Sequence, residues 1–351
     1  MSSKFAYTDL LMEMLAIPAL SRNEEHRSDF LEAFIKDLGY EVKRIHNNLL
    51  VGNLTAEDAR PRILLNSHMD TVAPVEEWKT DPYKPVMQGE KITGLGSNDA
   101  GASVVCMIAA MEAMKSNLEE HMDLLLLISA EEEVSGPYGI TAVLPELEDL
   151  DGVIVGEPTG MHPAVAERGL MVLDGEAKGK AGHAAREEGK NAIYKAIRDI
   201  ESIKALKFDR ESYWLPAPGA QVTLISAGTN HNVVPDVCRF VVDVRSNDRY
   251  GNEALLEIIR ETCAAELHPR STRLKPSGLP KDHFLMEAIR TCKLEPFGSS
   301  TLSDMALIPY PSIKMGPGDS ARSHTAGEYI LKSELEEGIE IYGHFLDKLK
   351  V

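Results

Sequence analysis

Cysteine is scarce in this chain: four residues in 351, at Cys106, Cys238, Cys263 and Cys292. None forms a close Cys-x-x-Cys pair, so thiolate zinc and redox motifs are excluded and all four read as reduced packing residues, Cys106 and Cys263 within apolar helical patterns. Positive charge is short as well. Lysine and arginine total 37 against 55 aspartates and glutamates, for a formal charge of -18 and a pI near 5.1. That balance leaves no basic stripe for a polyanion and argues against nucleic acid and anionic membranes as partners. Apolar runs approaching the ~18 residues of a spanning helix are missing, and Met1-Ser2-Ser3-Lys4-Phe5 opens no signal-peptide core. A soluble, cytoplasmic protein is expected.

What the chain does have is three apolar, strand-like runs that each end on a metal-type ligand. Ile63-Leu64-Leu65-Asn66-Ser67 ends on His68, Leu124 to Ser129 runs into Glu131-Glu132-Glu133, and Val153-Ile154-Val155-Gly156 ends on Glu157. Parallel strands buried under helices read as such runs, and open α/β sheets place ligands beyond the strands' carboxyl ends. These side chains should therefore converge on one crevice, which predicts a metallohydrolase.

The length favours two domains. Helix-period patterns cover 7–16 and 24–38, the second with Ser21 and Asn23 as capping candidates. Strand-like stretches follow at 41–45, 49–54 and 61–67, and Asp99-Ala100-Gly101-Ala102-Ser103 opens a helix running to about Met114, its small residues allowing close backbone approach. From Ala166 the pattern changes to strand 167–178, helix 190–206, strands 221–227 and 237–245, helix 252–265 and a last short strand. That order is the split βαβ, ferredoxin-like arrangement. Pro276, Gly278 and Pro280 mark the return, followed by helices near 283–293 and 333–349. The expected fold is α/β: a catalytic domain (1–165 and 276–351) with a mixed, largely parallel sheet flanked by helices, and an inserted ferredoxin-like α+β lid over 166–275.

Each candidate ligand also has a bland reading. His68 is either a ligand, with Asp70 near enough to hold its other ring nitrogen, or a satisfied core histidine. Asp99, after the flexible Gly94-Leu95-Gly96-Ser97-Asn98, is either a carboxylate shared by two ions or a helix N-cap. Three glutamates are usually a solvated loop, but at the mouth of a buried strand their repulsion calls for cations. Two adjacent glutamates also permit one to bind metal while the other takes a proton from water. Glu157 before Pro158, and His324 in the glycine- and proline-bearing loop from Gly316 to Thr325, are otherwise an ordinary turn and an exposed loop histidine.

Taken in order, His68-Met69-Asp70, Gly94 to Asp99, Ser129-Ala130-Glu131-Glu132-Glu133, Gly156-Glu157-Pro158-Thr159 and His324 resemble the di-zinc deacylases and carboxypeptidases, a family that includes acetylornithine deacetylase, succinyl-diaminopimelate desuccinylase, aminoacylase and glutamate carboxypeptidase. The resemblance covers nearly the whole chain. It implies two zinc ions, or cobalt or manganese in their place. His68, Glu157 and bridging Asp99 would hold one, and Glu133, His324 and Asp99 the other. Asp70 would orient His68, and Glu132 would act as general base while a water between the metals attacks an amide. It makes the Asp99–Ala100 bond a candidate cis peptide.

The resemblance also implies that the lid mediates a homodimer in which His183 stabilises the oxyanion in a neighbouring subunit's site. Asn232 would partner His183, and Arg245 would grip a substrate carboxylate through its planar fork. Thr301 and Ser303, with Asp304, either line the acyl pocket or form a capped helix start. One departure stands out: Asp99-Ala100-Gly101-Ala102 lacks the lysine of the Met-Lys-Gly that follows the bridging aspartate in many relatives. The closest overall resemblance, to acetylornithine deacetylase, implies release of an amino acid from a small-molecule Nα-acyl derivative, N-acetylornithine or an acetyl or succinyl ornithine or citrulline, in arginine biosynthesis. A succinyl-diaminopimelate desuccinylase or metallo-dipeptidase is the alternative among hydrolases, and a metal-free binding protein of the same fold the alternative from another class.

Overall fold

In the computed structural model, residues 7–53, 60–118, 122–186 and 188–349 are described. The chain forms two units: Met1–Val165 with Leu279–Phe297 and Ser303–Val351, and Ala166–Gly278 with Gly298–Leu302.

The apolar runs of the first unit become strands because leucine, isoleucine and valine can fill both faces of a covered sheet. Arg62–His68 is buried from Ile63 onward, and Asp123–Ser129 and Gly152–Val155 are buried throughout. Across the sheet the strands run Val42–Ile45, Asn48–Val51, Asp123–Ser129, Arg62–His68, Gly152–Val155 and Ser312–Lys314. Antiparallel pairing at the Val42–Ile45 end gives way to parallel pairing at the centre.

The parallel register fixes the site. Ile63 faces Leu124 and His68 faces Ser129, while Asn66 faces Val155. Three strands therefore end at one level, delivering His68, the Glu131–Glu133 turn and Glu157 to the same edge. Helix Ala102–Leu118, buried from Val104 to Ala110, covers the sheet and packs against Tyr7–Leu15 and Lys332–Asp347.

The structure departs from the sequence expectation around Asp99. The helix begins at Ala102, not Asp99, and runs to Leu118, beyond Met114. Residues Ser97–Gly101 form an irregular turn in which the Asp99–Ala100 peptide is cis and both residues have non-helical dihedrals. Asp99 is thus no helix cap. The strand expected over 49–54 ends at Val51, and residue 54 lies outside the described residues.

In the second unit the strands lie in the order Gly219–Ala227, Val237–Arg245, Leu170–Lys178, Glu266–Pro269, all pairs antiparallel. With helices Ala192–Lys204 and Asn252–Thr262, this is the ferredoxin-like arrangement. Leu170–Lys178 alternates buried and partly exposed residues, as a sheet covered on one face requires. Leu173, Phe240 and Val242 meet Ala196, Leu255 and Ile259 in its core.

Candidate metal centre

His68 is the last residue of its strand and is almost fully buried. Its Nε2 lies 3.1 Å from Asp99 Oδ1 and 3.7 Å from Glu157 Oε1. The other Asp99 oxygen, Oδ2, is 3.6 Å from His324 Nε2, which in turn is 3.0 Å from Glu133 Oε2. Asp99 therefore stands between two histidines, with Glu157 on one side and Glu133 on the other. His68, Asp99 and Glu133 can each offer an atom within 4.8 Å of the others, and so can His68, Glu132 and Glu157. The structure brings all five expected ligands and Glu132 together from separate stretches of the chain.

Small residues and buried polar groups hold them there. Gly156 lets the Glu157 strand approach the helix, since a Cβ at this position would lie 2.8 Å from Ser103 Cβ and 2.9 Å from Met107 Cε. The Nδ1 of His68 is 3.0 Å from the backbone oxygen of Asp70 and 3.5 Å from its carboxylate. A carbonyl only accepts, so Nδ1 carries the proton and Nε2 is the nitrogen turned to the cage. The fully buried Asp70 carboxylate does a second job: it accepts the backbone N–H of Glu132 at 3.1 Å and of Glu133 at 3.2 Å, and the Ser21 hydroxyl at 2.7 Å. One aspartate thus ties the histidine to the glutamate pair. Buried Arg27 closes the same turn from below, donating to Met69 O at 2.7 Å and Ile17 O at 2.6 and 3.0 Å.

Glu131 has a different task from its neighbours. It adopts a left-handed backbone, φ 53°, and its buried carboxylate accepts the Tyr138 N–H at 3.2 Å. Among the three glutamates, it is the structural one.

The electrostatics are those of crowded carboxylates. Burial, reinforced by Glu157, Asp304 and Glu133, raises the Glu132 pKa well above the usual carboxylate range despite nearby His68. Burial and Asp99 push Glu157 up to about 8. The hydrogen bond to Glu133 raises His324 to about 9. For His68, burial works downward but bonds to Asp70 and Asp99 override it, leaving its pKa well above the ordinary value. Protons are thus held where cations would otherwise balance the charge.

Several participants have roles that the sequence did not reveal. Glu328, buried, accepts the N–H groups of Gly96, Asn98 and Asp99, and burial raises its pKa to about 7. Asp304, also buried, accepts from Asn66 Nδ2 at 3.0 Å and Ser129 Oγ at 2.8 Å. Lys314 is a buried lysine whose charge acts on Glu157. Of these, Asp304 was a candidate in the sequence beside Thr301 and Ser303, and Lys314 left a trace as a charge inside the strand-like Ser312-Ile313-Lys314-Met315 before the Gly316-Pro317 loop.

Ser303 is buried and its hydroxyl accepts the Met305 N–H at 3.3 Å, so it caps the short turn Asp304–Ala306. Thr301 falls in the second unit, with its hydroxyl 2.9 Å from Ser299 Oγ. Also in that unit, Gly182–His183 pairs with Val233–Val234, and Ala184 N donates to Asn232 O at 3.0 Å, bringing exposed His183 and Asn232 side by side. The Arg245 fork is occupied by Asp243, two residues earlier on its strand, at 2.7 and 3.1 Å.

Imidazole and carboxylate donors without thiolate suit zinc, cobalt or manganese, and the Nδ1–H form of His68 leaves Nε2 free to ligate. The residues present fit a pair of divalent cations sharing Asp99.

Several known proteins are similar to this chain over most of its length. A succinyl-diaminopimelate desuccinylase of Rhizorhabdus wittichii is 26% identical over 288 residues, 77% of this chain and 75% of that protein. The aminopeptidase PepT of Bacillus cereus superposes with a TM-score of 0.79 at 21% identity, covering 98% of each chain. Bacillus subtilis YXEP, described as a dinuclear metal binding peptidase, superposes with a TM-score of 0.72 at 16% identity, over 98% of this chain and 97% of that one. Residues 64–348 match the family described as Peptidase family M20/M25/M40, and the chain belongs to that family of metal-dependent hydrolases.

Proposed function

We propose that this protein hydrolyses the amide bond of an N-acyl amino acid with two divalent cations bound, and that an N-succinyl diamino acid is its substrate class. The observation that carries the reaction type is Asp99 between His68 and His324, with Glu132 adjoining the same cage. The substrate class rests on the curated relative, a desuccinylase. The acetylornithine substrate suggested by overall resemblance becomes the competitor in the test.

Bound there, the cations would supply Lewis acidity and lower the pKa of water. The chain's own residues do the rest. His68, Glu157 and Asp99 would hold one ion, and His324, Glu133 and Asp99 the other. Glu132, whose burial holds its carboxyl above the usual carboxylate range, accepts a proton from the attacking water and returns it to the departing amine nitrogen. Asp70 keeps the Glu132 backbone and the His68 ring in register. His183 and Asn232 are proposed to stabilise the oxyanion. Arg245 would exchange Asp243 for a substrate carboxylate, a step that its bidentate geometry suits.

We also propose a homodimer through the second unit, in the cytoplasm. Leu224 and Ile225 on the edge strand Gly219–Ala227 are 64% and 55% exposed, and Tyr194 on helix Ala192–Lys204 is 67% exposed. An exposed apolar edge invites pairing with a second copy.

The test is kcat/KM for metal-loaded protein on N-succinyl-diaminopimelate, N-succinylornithine, N-acetylornithine, N-acetylcitrulline and simple dipeptides. The N-succinyl substrates should lead. Dominance of N-acetylornithine would restore the arginine-pathway reading, and a metal-loaded protein that cleaves nothing would favour a binding protein of the same fold.

A further inference from the structure

Two buried side chains outside the ligand set lock the Asp99 turn to the His324 loop, and they point in opposite directions. From the His324 loop, the Glu328 carboxylate reaches into the Asp99 turn: Oε1 accepts the N–H of Asn98 and of Asp99, each at 2.9 Å, and Oε2 accepts the N–H of Gly96 at 3.1 Å. Its own backbone oxygen accepts the Gly94 N–H at 3.1 Å. From the Asp99 turn, Asn98 reaches back. Its Oδ1 accepts the Asp319 N–H at 3.0 Å, and its Nδ2 donates to Asp319 O at 3.1 Å and Ser323 Oγ at 3.3 Å. Gly318, at φ +88°, makes room, since a Cβ there would lie 2.3 Å from Asn98 Oδ1. Asn98 is fully buried and Glu328 nearly so.

Neither ligand lies on a strand or an α-helix: Asp99 sits in the irregular Ser97–Gly101 turn, and His324 follows the short 3-10 turn Ser320–Arg322. His68 and Glu157 sit at strand ends whose positions the sheet ladder sets. Asp99 and His324, more than 200 positions apart, lie outside any ladder; the nearest one, Tyr329–Leu331 on Lys91–Thr93, brings the two loops side by side and ends at Glu328 and Gly94, short of both ligands. The separation between Asp99 Oδ2 and His324 Nε2, 3.6 Å, is therefore set by how the two loops are joined.

We infer that Glu328 and Asn98 are positioning residues for the metal site built from His324, Glu133 and Asp99, and that their interlock, more than the ligands' own packing, sets affinity for the second cation. This rests on the two-cation reading proposed above. A carboxylate is the right group at 328 because three N–H donors converge on it and it only accepts. Glutamine would keep the two bonds at one oxygen and turn an amide N–H₂ toward the Gly96 N–H. Alanine would lose all three.

The test compares wild type, Glu328→Ala, Glu328→Gln and Asn98→Ala by equilibrium dialysis against zinc and by cobalt absorption spectra, with kcat and KM alongside. Wild type should bind two ions. Glu328→Ala and Asn98→Ala should keep the His68–Glu157 ion and lose about 10- to 100-fold in affinity for the other, as outer supports of a metal site typically do. The cobalt spectrum should change accordingly, and kcat should fall more than KM rises. Glu328→Gln should fall between wild type and alanine. A variant that lowers the Tm of the metal-free protein but binds both ions with wild-type affinity would overturn the inference, because a merely structural bond costs stability without choosing between sites. Should Glu328→Ala fail to fold, Glu328→Gln and Asn98→Ala carry the same measurement. Wild type binding no divalent ion would instead defeat the two-cation reading itself.

Discussion

The strand Asp123–Ser129 of the first unit is buried at every residue and opens into three carboxylates, whereas the edge strand Gly219–Ala227 of the second leaves Leu224 and Ile225 largely in solvent. In the first unit, charge is held where water is scarce. In the second, apolar surface is held where water is plentiful. Both arrangements cost free energy in the isolated chain, and each points to what would relieve it: cations for the crowded carboxylates, a second apolar surface for the exposed edge.

The comparison can be broken at either end. Removing divalent metal with a chelator should abolish amide hydrolysis, and adding back zinc, cobalt or manganese should restore it; activity that survives exhaustive chelation would sink the cation half. Glu132→Gln should lower kcat by about 10² to 10⁴-fold with both ions retained. Metal analysis sharpens this point, because Glu132 also lies within ligand distance of His68 and Glu157. Loss of an ion in that variant would make it a ligand instead of the base. Asp70→Asn should weaken metal binding or turnover by about 10- to 100-fold, since it loosens both His68 and the Glu132–Glu133 backbone.

The other half concerns association. Ile225→Glu, which puts a charge on the exposed edge, should weaken a dimer by about 2 kcal/mol, roughly 30-fold, as sedimentation would report. Wild-type protein that sediments as a monomer would remove that half outright.

The smallest expected effect is a pH dependence of the metal-free protein. Glu157, at about 8, and His324, at about 9, both hold protons more tightly when folded than when unfolded. Their contribution to stability is present below their ordinary pKa values and is lost as pH rises through about 8 to 9. Metal binding needs these groups deprotonated, so affinity should rise over the same range. The gap in Tm between metal-loaded and metal-free protein should therefore widen from pH 6 to pH 9, and titration calorimetry in buffers of different ionisation enthalpy should report proton release. A gap that narrows would contradict this electrostatic account.

Much of the frame was legible in the sequence because buried parallel strands leave a local record. Ile63-Leu64-Leu65 and Leu124 to Ile128 are apolar at consecutive positions, as strands buried on both faces require. Turn chemistry was less legible. The Ser97–Gly101 turn reads as a helix start because small residues and an aspartate there mimic a capped helix, and nothing local encodes its non-helical dihedrals. The cap that Ser303 forms on the Met305 N–H was one of two readings its sequence context allowed.

By itself the sequence determined which residue types could ligate a cation and which strands would carry them, because hydrophobic periodicity and ligand chemistry are properties of short stretches. Only the tertiary structure decided that Asp70 would join His68 to Glu132 and Glu133, that Glu131 would stand apart from its neighbours, and that Glu328 and Asn98 would bind one loop to the other. Those partners meet across tens to hundreds of residues. A hydrogen bond depends on distance and angle in space, and neither is written in the order of the chain.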